Sequence, residues 1–420
     1  MNTYEMDYRI PAPNGWHYKK FRQIFNLSKG LGITKEDLTD DGMPVISYGQ
    51  VHSKSNSGYS LNPSLYRYVS DKYIKSDSKC LVEKGDFIFA DTSEDYLGVG
   101  NCVFIDNNKS IFAGYHSIIA RFADQEEYCG RYFAFLFLTD FWRTQIRAEV
   151  MGIKVFSITQ KLLRDSFVLV PPKKEQQIIA KFLANRCAKI DSIIADIEKQ
   201  IELLNEYKKS LITETVTKGL NKKAKMKASG VEWIGDIPMN WSVKRLKYFC
   251  KMYSGENLTS EEIESEGDYA VYGGNGIRGY YSNYTNDGEY IIVGRQGALC
   301  GNIHIASGKF WATDHAVVTY LSDLMDTHYV GYLFYAMNFN QYSQSAAQPG
   351  LAVNRLLDLK TCMPDFDEQK RISSWLDKKI EKIEEIVDVK NKQLEQIKLH
   401  KKSLIYEYVT GKKRLRGNSE

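Results

Sequence analysis

The pentapeptide KKSLI occupies residues 208–212 and occurs again, unchanged, at residues 401–405, which is 193 positions later. The same offset relates Glu175-Gln176 to Glu368-Gln369. Similarity at a fixed offset indicates an internal repeat, and finding one decides the architecture before any local signal does. The chain is therefore predicted to consist of two related halves.

A second offset relates the beginnings of the two halves. It is 225, and it carries Pro13 onto Pro238 and Trp16 onto Trp241. Because the offset falls from 225 to 193, the first half has about 32 more residues between its matched ends. The halves thus have similar flanks and different middles.

The matched tail of each half predicts a long helix. Apolar residues there follow the alternating three- and four-residue spacing of a heptad seam. These residues are Ile190, Ile194, Ile197, Ile201, Leu204 and Leu211 in the first tail, and Ile383, Val387, Leu394, Ile397 and Leu404 in the second. Since neither helix can bury its apolar stripe alone, we expect the two to pair. The alternative is that each helix packs separately on its own domain.

Lys208 and Lys401 occupy the same seam position in the two helices. A polar seam residue can fix the register of paired helices at some cost in stability. A lysine near the end of a seam more often directs its ammonium group to solvent, and this is the expectation here.

These patterns predict an α+β protein with two mixed α/β globules separated by two long helices that form an antiparallel coiled coil. Strand signals lie at residues 86–89 and 289–293, and helical signals at residues 132–138 and 329–337. The predicted segments are 1–172 (first globule), 173–219 (first helix), 220–240 (linker), 241–364 (second globule), 365–411 (second helix) and 412–420 (basic tail).

The composition is that of a globular protein. Among 420 residues, 43% are hydrophobic and 26% charged, which argues against a disordered chain and fits two or three domains. No apolar run approaches the roughly 18 residues of a membrane span. The seven cysteines are scattered without a C-x-x-C pair, as expected for reduced thiols in the cytoplasm. A net charge of +4 by itself says little about partners.

Motifs for catalysis and cofactor binding are missing or out of context. Residues 274–279 fit G-x-G-x-x-G, but Tyr280 and Tyr281 follow where a dinucleotide site needs a helix start, so a turn or hairpin is predicted. The sequence has no phosphate-binding G-x-x-x-x-G-K-[ST] loop and no Pro-Pro tetrapeptide of amino-methyltransferases. No histidines show metal-ligand spacing. His116 and His315 lie in comparable settings, and a buried structural role is expected for each.

Several motifs, in this order and duplicated, resemble the specificity subunit of type I restriction–modification enzymes. PNGW at residues 13–16 and IPMNW at residues 237–241 open the two halves. Residues 218–220, running into SGVEWIG at residues 229–235, match the family's junction. Pro171-Pro172 with Glu175-Gln176, and Pro364 with Glu368-Gln369, mark the two helix starts. The resemblance covers essentially the whole chain.

The resemblance implies that each globule is a target-recognition domain that reads one half of a split sequence in double-stranded DNA. The helices would act as a spacer and as docking ground for two methyltransferase subunits, which would bind S-adenosylmethionine. Restriction subunits with motor and nuclease activity, dependent on ATP and Mg²⁺, would complete the complex. The chain itself is expected to be non-catalytic, to bind no cofactor and no metal, and to contact no membrane.

Reading of DNA requires polar side chains that reach base edges, and polar or basic groups that contact phosphates. Glycine-flanked turns and loops offer Gln50, His52, Lys54, Asn56 and Thr92 in the first globule, and Asn275, Arg278, Arg295 and Gln296 in the second. The two sets differ, as do residues 47–50 and 272–276, so the globules are expected to read different half-sites. Lys222 and Lys223 are expected to be solvated, or to contact phosphate. The alternative function is a helical scaffold without base-specific reading.

Overall fold

The computed structural model of the chain describes residues 10–152, 154–297, 299–343 and 350–415. Internal contacts divide the chain into two units: unit 1 contains Met1–Asp196 and Gln393–Glu420, and unit 2 contains Ile197–Lys392. Residues 416–420 of the predicted basic tail lie outside the described residues. Within the described ranges, no helix is both long and apolar enough to cross a membrane.

Unit 1 is built from short strands and helices that precede the first long helix. The strands are β1 (His17–Lys20), β2 (Phe25–Lys29), β3 (Leu38–Thr39), β4 (Met43–Ile46), β5 (Arg67–Val69), β6 (Leu81–Val82), β7 (Phe87–Ala90), β8 (Thr92–Ser93), β9 (Cys102–Phe104), β10 (Ile111–Ala113), β11 (Ser117–Phe122), β12 (Phe156–Ser157) and β13 (Phe167–Val170). The helices are α1 (Tyr48–Val51), α2 (Tyr73–Ser76), α3 (Gly130–Phe137), α4 (Asp140–Arg147), α5 (Gln160–Asp165) and α6 (Lys173–Lys218). The last of these continues into unit 2.

Unit 1 has two larger sheets. One has the strand order β3-β5-β4-β10-β6 and the other β2-β11-β7-β9. Six consecutive residues of helix α3, Tyr132–Phe137, are all buried. They share one core cluster with aromatic side chains of the four-stranded sheet, including Phe87 and Phe89. Burial of so many large rings makes this the main hydrophobic core of the unit.

Unit 2 has a single large sheet with the order β17-β22-β20-β21-β18-β19. Two further small pairings are β14 with β15 and β16 with β23. The strands are β14 (Met226–Ala228), β15 (Asp236–Pro238), β16 (Ser242–Arg245), β17 (Cys250–Ser254), β18 (Tyr269–Gly273), β19 (Gly276–Tyr281), β20 (Asn286–Gly294), β21 (Ile303–Ala312), β22 (Ala316–Leu321) and β23 (Lys360–Met363). The helices are α7 (Thr327–Met337), α8 (Val353–Leu357) and α9 (Phe366–Val409). Part of the predicted linker therefore forms the β14–β15 hairpin.

The two units repeat one strand arrangement. In unit 1, β11 lies between β2 and β7, and β4 runs parallel to β10. In unit 2, β22 lies between β17 and β20, and β18 runs parallel to β21. Ala113 pairs with Ile46, and Ala312 pairs with Tyr272. Ile46 and Tyr272 therefore differ by 226 positions, one more than the offset at the start of the halves, whereas Ala113 and Ala312 differ by 199.

In each globule the first strand pairs with the last strand. His17 on β1 pairs with Val170 on β13, and Ser242 on β16 pairs with Met363 on β23. The duplicated tryptophans directly precede β1 and β16. Trp16 donates a hydrogen bond from Nε1 to Glu175 Oε2 at 2.9 Å. Trp241 makes the same bond to Glu368 at the same distance, so the two motifs that open the halves have a common structural role.

The long helices pair within each unit. In unit 1, the ring of Phe182 on α6 lies 4.7 Å from that of Tyr408 on α9, and Asp191 forms an ion pair with Lys401. Partner numbers fall as α6 advances, so the two segments are antiparallel. In unit 2, Gln200 and Lys208 on α6 pair with Lys390 and Glu384 on α9, so these segments are antiparallel as well. The prediction of two α/β globules with antiparallel paired helices is confirmed.

The predicted seam residues are buried or half-buried positions of these helices. Ile197 and Ile383 are buried. The others are half-buried: Ile190, Ile194, Ile201, Leu204, Leu211, Val387, Leu394, Ile397 and Leu404. A narrow apolar seam of this kind shields its side chains only in part, because polar faces flank it on both sides.

The expectation that Lys208 and Lys401 extend into solvent is wrong. The Lys208 side chain is 21% exposed, and its Nζ lies 3.2 Å from Glu384 Oε1. The Lys401 side chain is 18% exposed and pairs with Asp191. Asp191 and Glu384 are separated by the same 193 positions as the lysines, so the duplication preserves both partners. Each ammonium group is therefore paired with a carboxylate on the facing helix.

Candidate nucleic-acid interface

The predicted polar residues of unit 1 gather where several strands end at one side of the sheets. We call this the first edge; it comprises residues 47–56, 91–101 and 114–116. Because β4 and β10 are parallel, the residues that follow them lie together, and Tyr48 N donates to Tyr115 O at 3.3 Å. The segment after β7 joins them through Asp91 N, which donates to His116 O at 3.1 Å.

Five predicted DNA-binding residues belong to the first edge, and three of them make contacts that hold its loops. Gln50 Oε1 accepts a hydrogen bond from Ser47 N at 3.1 Å and so caps the start of α1. His52 Nε2 lies 2.8 Å from the backbone oxygen of Thr92. The amide nitrogen of Asn56 donates to Val51 O and Cys102 O, at 2.8 and 3.0 Å. The Lys54 side chain is exposed.

An aromatic group surrounds Tyr48 at this edge. Its ring lies 5.5 Å from His116, 5.7 Å from Tyr115 and 6.5 Å from His52. His116 has a φ of 51°, which is uncommon for a residue with a side chain and often occurs where function constrains the backbone. Its side chain is 57% exposed, and Nδ1 lies 3.1 Å from Asp91 Oδ1.

The expectation of buried structural histidines is therefore wrong. His116 is exposed, and His315 is only half-buried. The apolar signal that suggested burial comes from the residues that follow each histidine. These residues form β11 and β22, which lie inside their sheets, whereas the histidines occupy the bends that lead into them.

Unit 2 has a corresponding second edge, which comprises residues 274–275, 295–297, 299–302 and 313–315. Gly274 shows how closely its segments approach: a Cβ there would lie 2.9 Å from the backbone oxygen of Gln296 and 3.6 Å from that of His315. Arg295 N donates to His315 O at 2.9 Å. The guanidinium of Arg295 donates from Nη1 to Ser254 Oγ at 2.9 Å.

The other predicted residues of unit 2 lie around the β18–β19 hairpin or pair with a distant segment. Asn275 is exposed at the hairpin turn, and its Oδ1 accepts from Asn302 Nδ2 at 2.6 Å. Arg278 lies on β19 rather than in a turn, which corrects its predicted setting; it is exposed and contacts Ser260 Oγ at 3.4 Å. Gln296 forms an isolated bridge with Gly350.

The β18–β19 hairpin also shows what structure the G-x-G-x-x-G pattern at residues 274–279 forms. Gly276 has a φ of 82° in the turn, a conformation that glycine adopts without strain. The stretch joins two antiparallel strands and not a strand to a helix, as predicted. His304 on β21 packs against Gly276, and burial lowers the pKa of its imidazole, which favours the neutral form.

The two edges correspond at several positions, although the sequence offset between them changes along the chain. Asp91 and Arg295 each follow the matched strand, β7 or β20, and each donates its N–H to the carbonyl of a matched histidine. Gly100 and Gly301 both have positive φ, 85° and 88°. The asparagines that follow them orient a residue of the neighbouring loop. Asn101 Nδ2 lies 3.2 Å from His52 Nδ1, and Asn302 contacts Asn275.

Sequence reasoning missed Asp91, Asn101 and Asn302, and it assigned His116 and His315 a buried structural role. The available signal was the Gly-Asn dipeptide, which occurs at residues 100–101 and again 201 positions later. The edges present a carboxylate in unit 1 and a guanidinium in unit 2, beside amides and imidazoles, all groups that can read base edges. Within the described residues, no group of three or more His, Cys, Asp or Glu side chains could hold a metal ion.

Comparison with known proteins identifies the family to which the chain is similar. The family model for the type I restriction modification DNA specificity domain matches twice, at residues 13–203 and 238–410. The putative type I restriction enzyme MjaX specificity subunit of Methanocaldococcus jannaschii is 26% identical over 424 aligned residues, covering 96% of this chain and 95% of that protein. The type I restriction enzyme EcoprrI specificity subunit of Escherichia coli is 42% identical over 139 residues, covering 32% of this chain and 35% of that protein.

A solved structure described as the structural basis of complex assembly and conformational transition of the type I R-M system contains a chain of similar fold. Its TM-score is 0.66 at 16% identity, and the match covers 96% of this chain and 99% of that one. At this identity the likeness supports the fold, which is the arrangement of two α/β globules and paired long helices described above.

Proposed function

The chain belongs to the type I restriction–modification DNA specificity family, and we propose that its first and second edges each read one half of a bipartite DNA target. DNA target recognition is the function of this family, and none of the comparisons favours a scaffold without base reading. Separate reading by the two edges is supported by one observation above all. Equivalent positions in a repeated frame carry opposite chemistry, a carboxylate at Asp91 and a guanidinium at Arg295.

We further propose that the chain acts without catalysis of its own. Two methyltransferase subunits would bind S-adenosylmethionine and methylate the target, and restriction subunits would use ATP and Mg²⁺ to cut unmodified DNA. Support comes from the relatives, which are named specificity subunits, and from the similar chain found in a type I assembly. The paired helices, with their narrow seams, would hold the spacing between half-sites and bind the methyltransferase subunits.

The experiment exchanges one globule at a time. Residues 241–363 are replaced by the corresponding segment of another family member, and residues 17–170 are replaced in a second chimera. These limits are favourable because the first and last strands of each segment pair with each other, β16 with β23 and β1 with β13. Each chimera is purified with the partner methyltransferase subunits, and methylated bases are located by sequencing.

Each chimera is expected to change one half-site and to leave the other as it was. The chain without partner subunits, supplied with S-adenosylmethionine, is expected to transfer no methyl groups to DNA. If both half-sites change in a single chimera, separate reading by the two edges is wrong. If partner-free chain methylates DNA, the non-catalytic assignment is wrong.

A further inference from the structure

One backbone position is equivalent in the two edges and carries opposite charge. In unit 1, β7 and β11 pair Ala90 with Ser117; in unit 2, β20 and β22 pair Gly294 with Ala316. The next residues outward are Asp91 and Arg295. Each is fixed by its backbone N–H, which donates to the carbonyl of the residue before the partner strand, at 3.1 and 2.9 Å. The frame therefore presents two different side chains from the same place.

The Asp91 side chain is held but remains accessible. Its Oδ1 lies 3.1 Å from His116 Nδ1, while the side chain stays 35% exposed. An ionised carboxylate has two oxygens and only accepts hydrogen bonds. In the major groove of DNA, the donors available to it are the exocyclic amino groups of cytosine and adenine.

Arg295 has the complementary chemistry. Its contact with Ser254 Oγ occupies one of the five N–H donors of a guanidinium, which carries no acceptor. Ser254 ends β17 and is itself exposed, so the contact orients the guanidinium at the surface of the second edge. Guanine, with O6 and N7 both acceptors, is the base that a guanidinium recognises with two parallel hydrogen bonds.

We propose that Asp91 and Arg295 are the equivalent specificity-determining residues of the two edges. Asp91 accepts a hydrogen bond from the amino group of a cytosine or adenine in the first half-site. Arg295 donates two hydrogen bonds to a guanine in the second. This inference rests on the proposed function, because it assumes that the two edges face the bases of the target.

The test measures base discrimination by the full chain in complex with its methyltransferase subunits. Duplexes carry each of the four base pairs, one position at a time, across both half-sites, and methylation rates are compared. For Asp91→Ala, discrimination at one position of the first half-site is expected to fall by about 5-fold to 150-fold, with the second half-site unchanged. For Arg295→Ala, the loss is expected at a G·C pair of the second half-site only.

Two substitutions separate base reading from a structural role. Asp91→Asn keeps an acceptor oxygen and adds a donor, so adenine is expected to be the preferred base at the affected position, because asparagine recognises it through N6 and N7. Arg295→Lys keeps the charge but loses the planar fork, so discrimination is expected to fall although binding persists. A side chain that only supported its loop would change affinity without changing the preferred base.

Controls are available in both units. Asp41→Ala and Lys244→Ala remove exposed charges, at the turn before β4 and on β16, and should leave discrimination intact. Unchanged preference in Asp91→Ala, or relaxation by His116→Ala in its place, would overturn the assignment of Asp91. Unchanged preference in Arg295→Ala would overturn that of Arg295. If the globule exchanges still moved single half-sites, the proposed function would stand while this inference failed.

Discussion

The segments that join β7 to β9 in unit 1 and β20 to β21 in unit 2, which we call the hairpin tips, begin and end alike but differ in between. Eleven residues separate β7 from β9 in unit 1, and eight separate β20 from β21 in unit 2. Both tips start with a residue bonded to a histidine carbonyl and end with a glycine of positive φ followed by asparagine. Surface connections tolerate such differences in length and sequence because few buried contacts depend on them. Recognition can therefore change at the tips while the frame remains.

The strands behind the tips show a related difference. In unit 2, β21 runs without a break from Ile303 to Ala312 and links both parts of one six-stranded sheet. In unit 1 the corresponding stretch is broken into β9 and β10, which belong to separate sheets. The duplicated frame therefore survives as a set of strand neighbours, and not as one sheet.

The sharpest test of a common frame is the tryptophan that opens each half. Trp16 and Trp241 are 3% and 1% exposed, and both donate to a glutamate at the start of a long helix. Replacing either by alanine should destabilise its own unit by about 3–5 kcal/mol, because a large buried side chain leaves a cavity. Denaturant titration followed by circular dichroism measures the loss, and hydrogen exchange assigns it to a unit.

Equal losses in the two tryptophan variants would support equivalence of the two units. Glu175→Gln serves as a control, since glutamine keeps an oxygen that accepts from Trp16 and fills similar space. The equivalence fails if one tryptophan variant is nearly as stable as the unmodified chain.

A smaller and unequal effect is expected from two buried tyrosines. Tyr132 Oη contacts Leu169 O at 2.9 Å and Val409 O at 3.0 Å, whereas Tyr329 Oη contacts Val216 O at 3.3 Å. Substitution by phenylalanine leaves buried carbonyls without this partner, which costs about 1–3 kcal/mol. Tyr132→Phe should therefore lose more stability than Tyr329→Phe, as measured by denaturant midpoints.

The same tyrosines predict a dependence on pH. Burial raises the pKa of each hydroxyl well above its usual range, so the folded chain keeps the proton that the unfolded chain releases above about pH 10. Their contribution to stability is complete below that pH and is lost as the pH rises above it. Each Phe variant should lose less stability than the unmodified chain between about pH 9 and 11. An identical pH profile for all three proteins would contradict this.

Sequence reasoning succeeded where a pattern is periodic and failed where contacts are individual. Heptad spacing and one offset were enough to predict two paired helices, since a seam repeats the same environment many times. Loop residues gave no such pattern. Gln50 and Asn56 looked like free polar side chains, but both bond to backbone groups that the turns leave unpaired.

The equivalence of Asp91 and Arg295 could not be predicted from the sequence for a related reason. Asp91 and Arg295 are equivalent through strand register, and the sequence between the flanks and these positions differs in length in the two halves. A single offset cannot align them. Even an alignment would not show that the carbonyls of His116 and His315 hold the backbone N–H groups of Asp91 and Arg295, because those contacts exist only once the strands are paired.

The smallest expected difference concerns the two ion pairs across the helix seam. Lys401 pairs with Asp191, which also accepts a hydrogen bond from Tyr59 Oη at 2.5 Å, and the Lys401 ammonium lies 5.2 Å from the centre of the Tyr59 ring. In unit 2, Glu384 is 58% exposed and lies 3.2 Å from Lys208. Solvent screens such an exposed acid, so its coupling to the lysine should be only a few tenths of a kcal/mol.

Double-mutant cycles built from alanine substitutions can compare the two pairs directly. We expect a coupling free energy of about 1 kcal/mol for Lys401–Asp191 and a clearly smaller one for Lys208–Glu384, from urea unfolding followed by circular dichroism. Raising the salt concentration should reduce the weaker coupling by the larger fraction, because exposed charges are screened more than partly buried ones. Equal couplings with equal salt dependence would mean that Tyr59 adds nothing, and that the duplicated lysines stabilise both units alike.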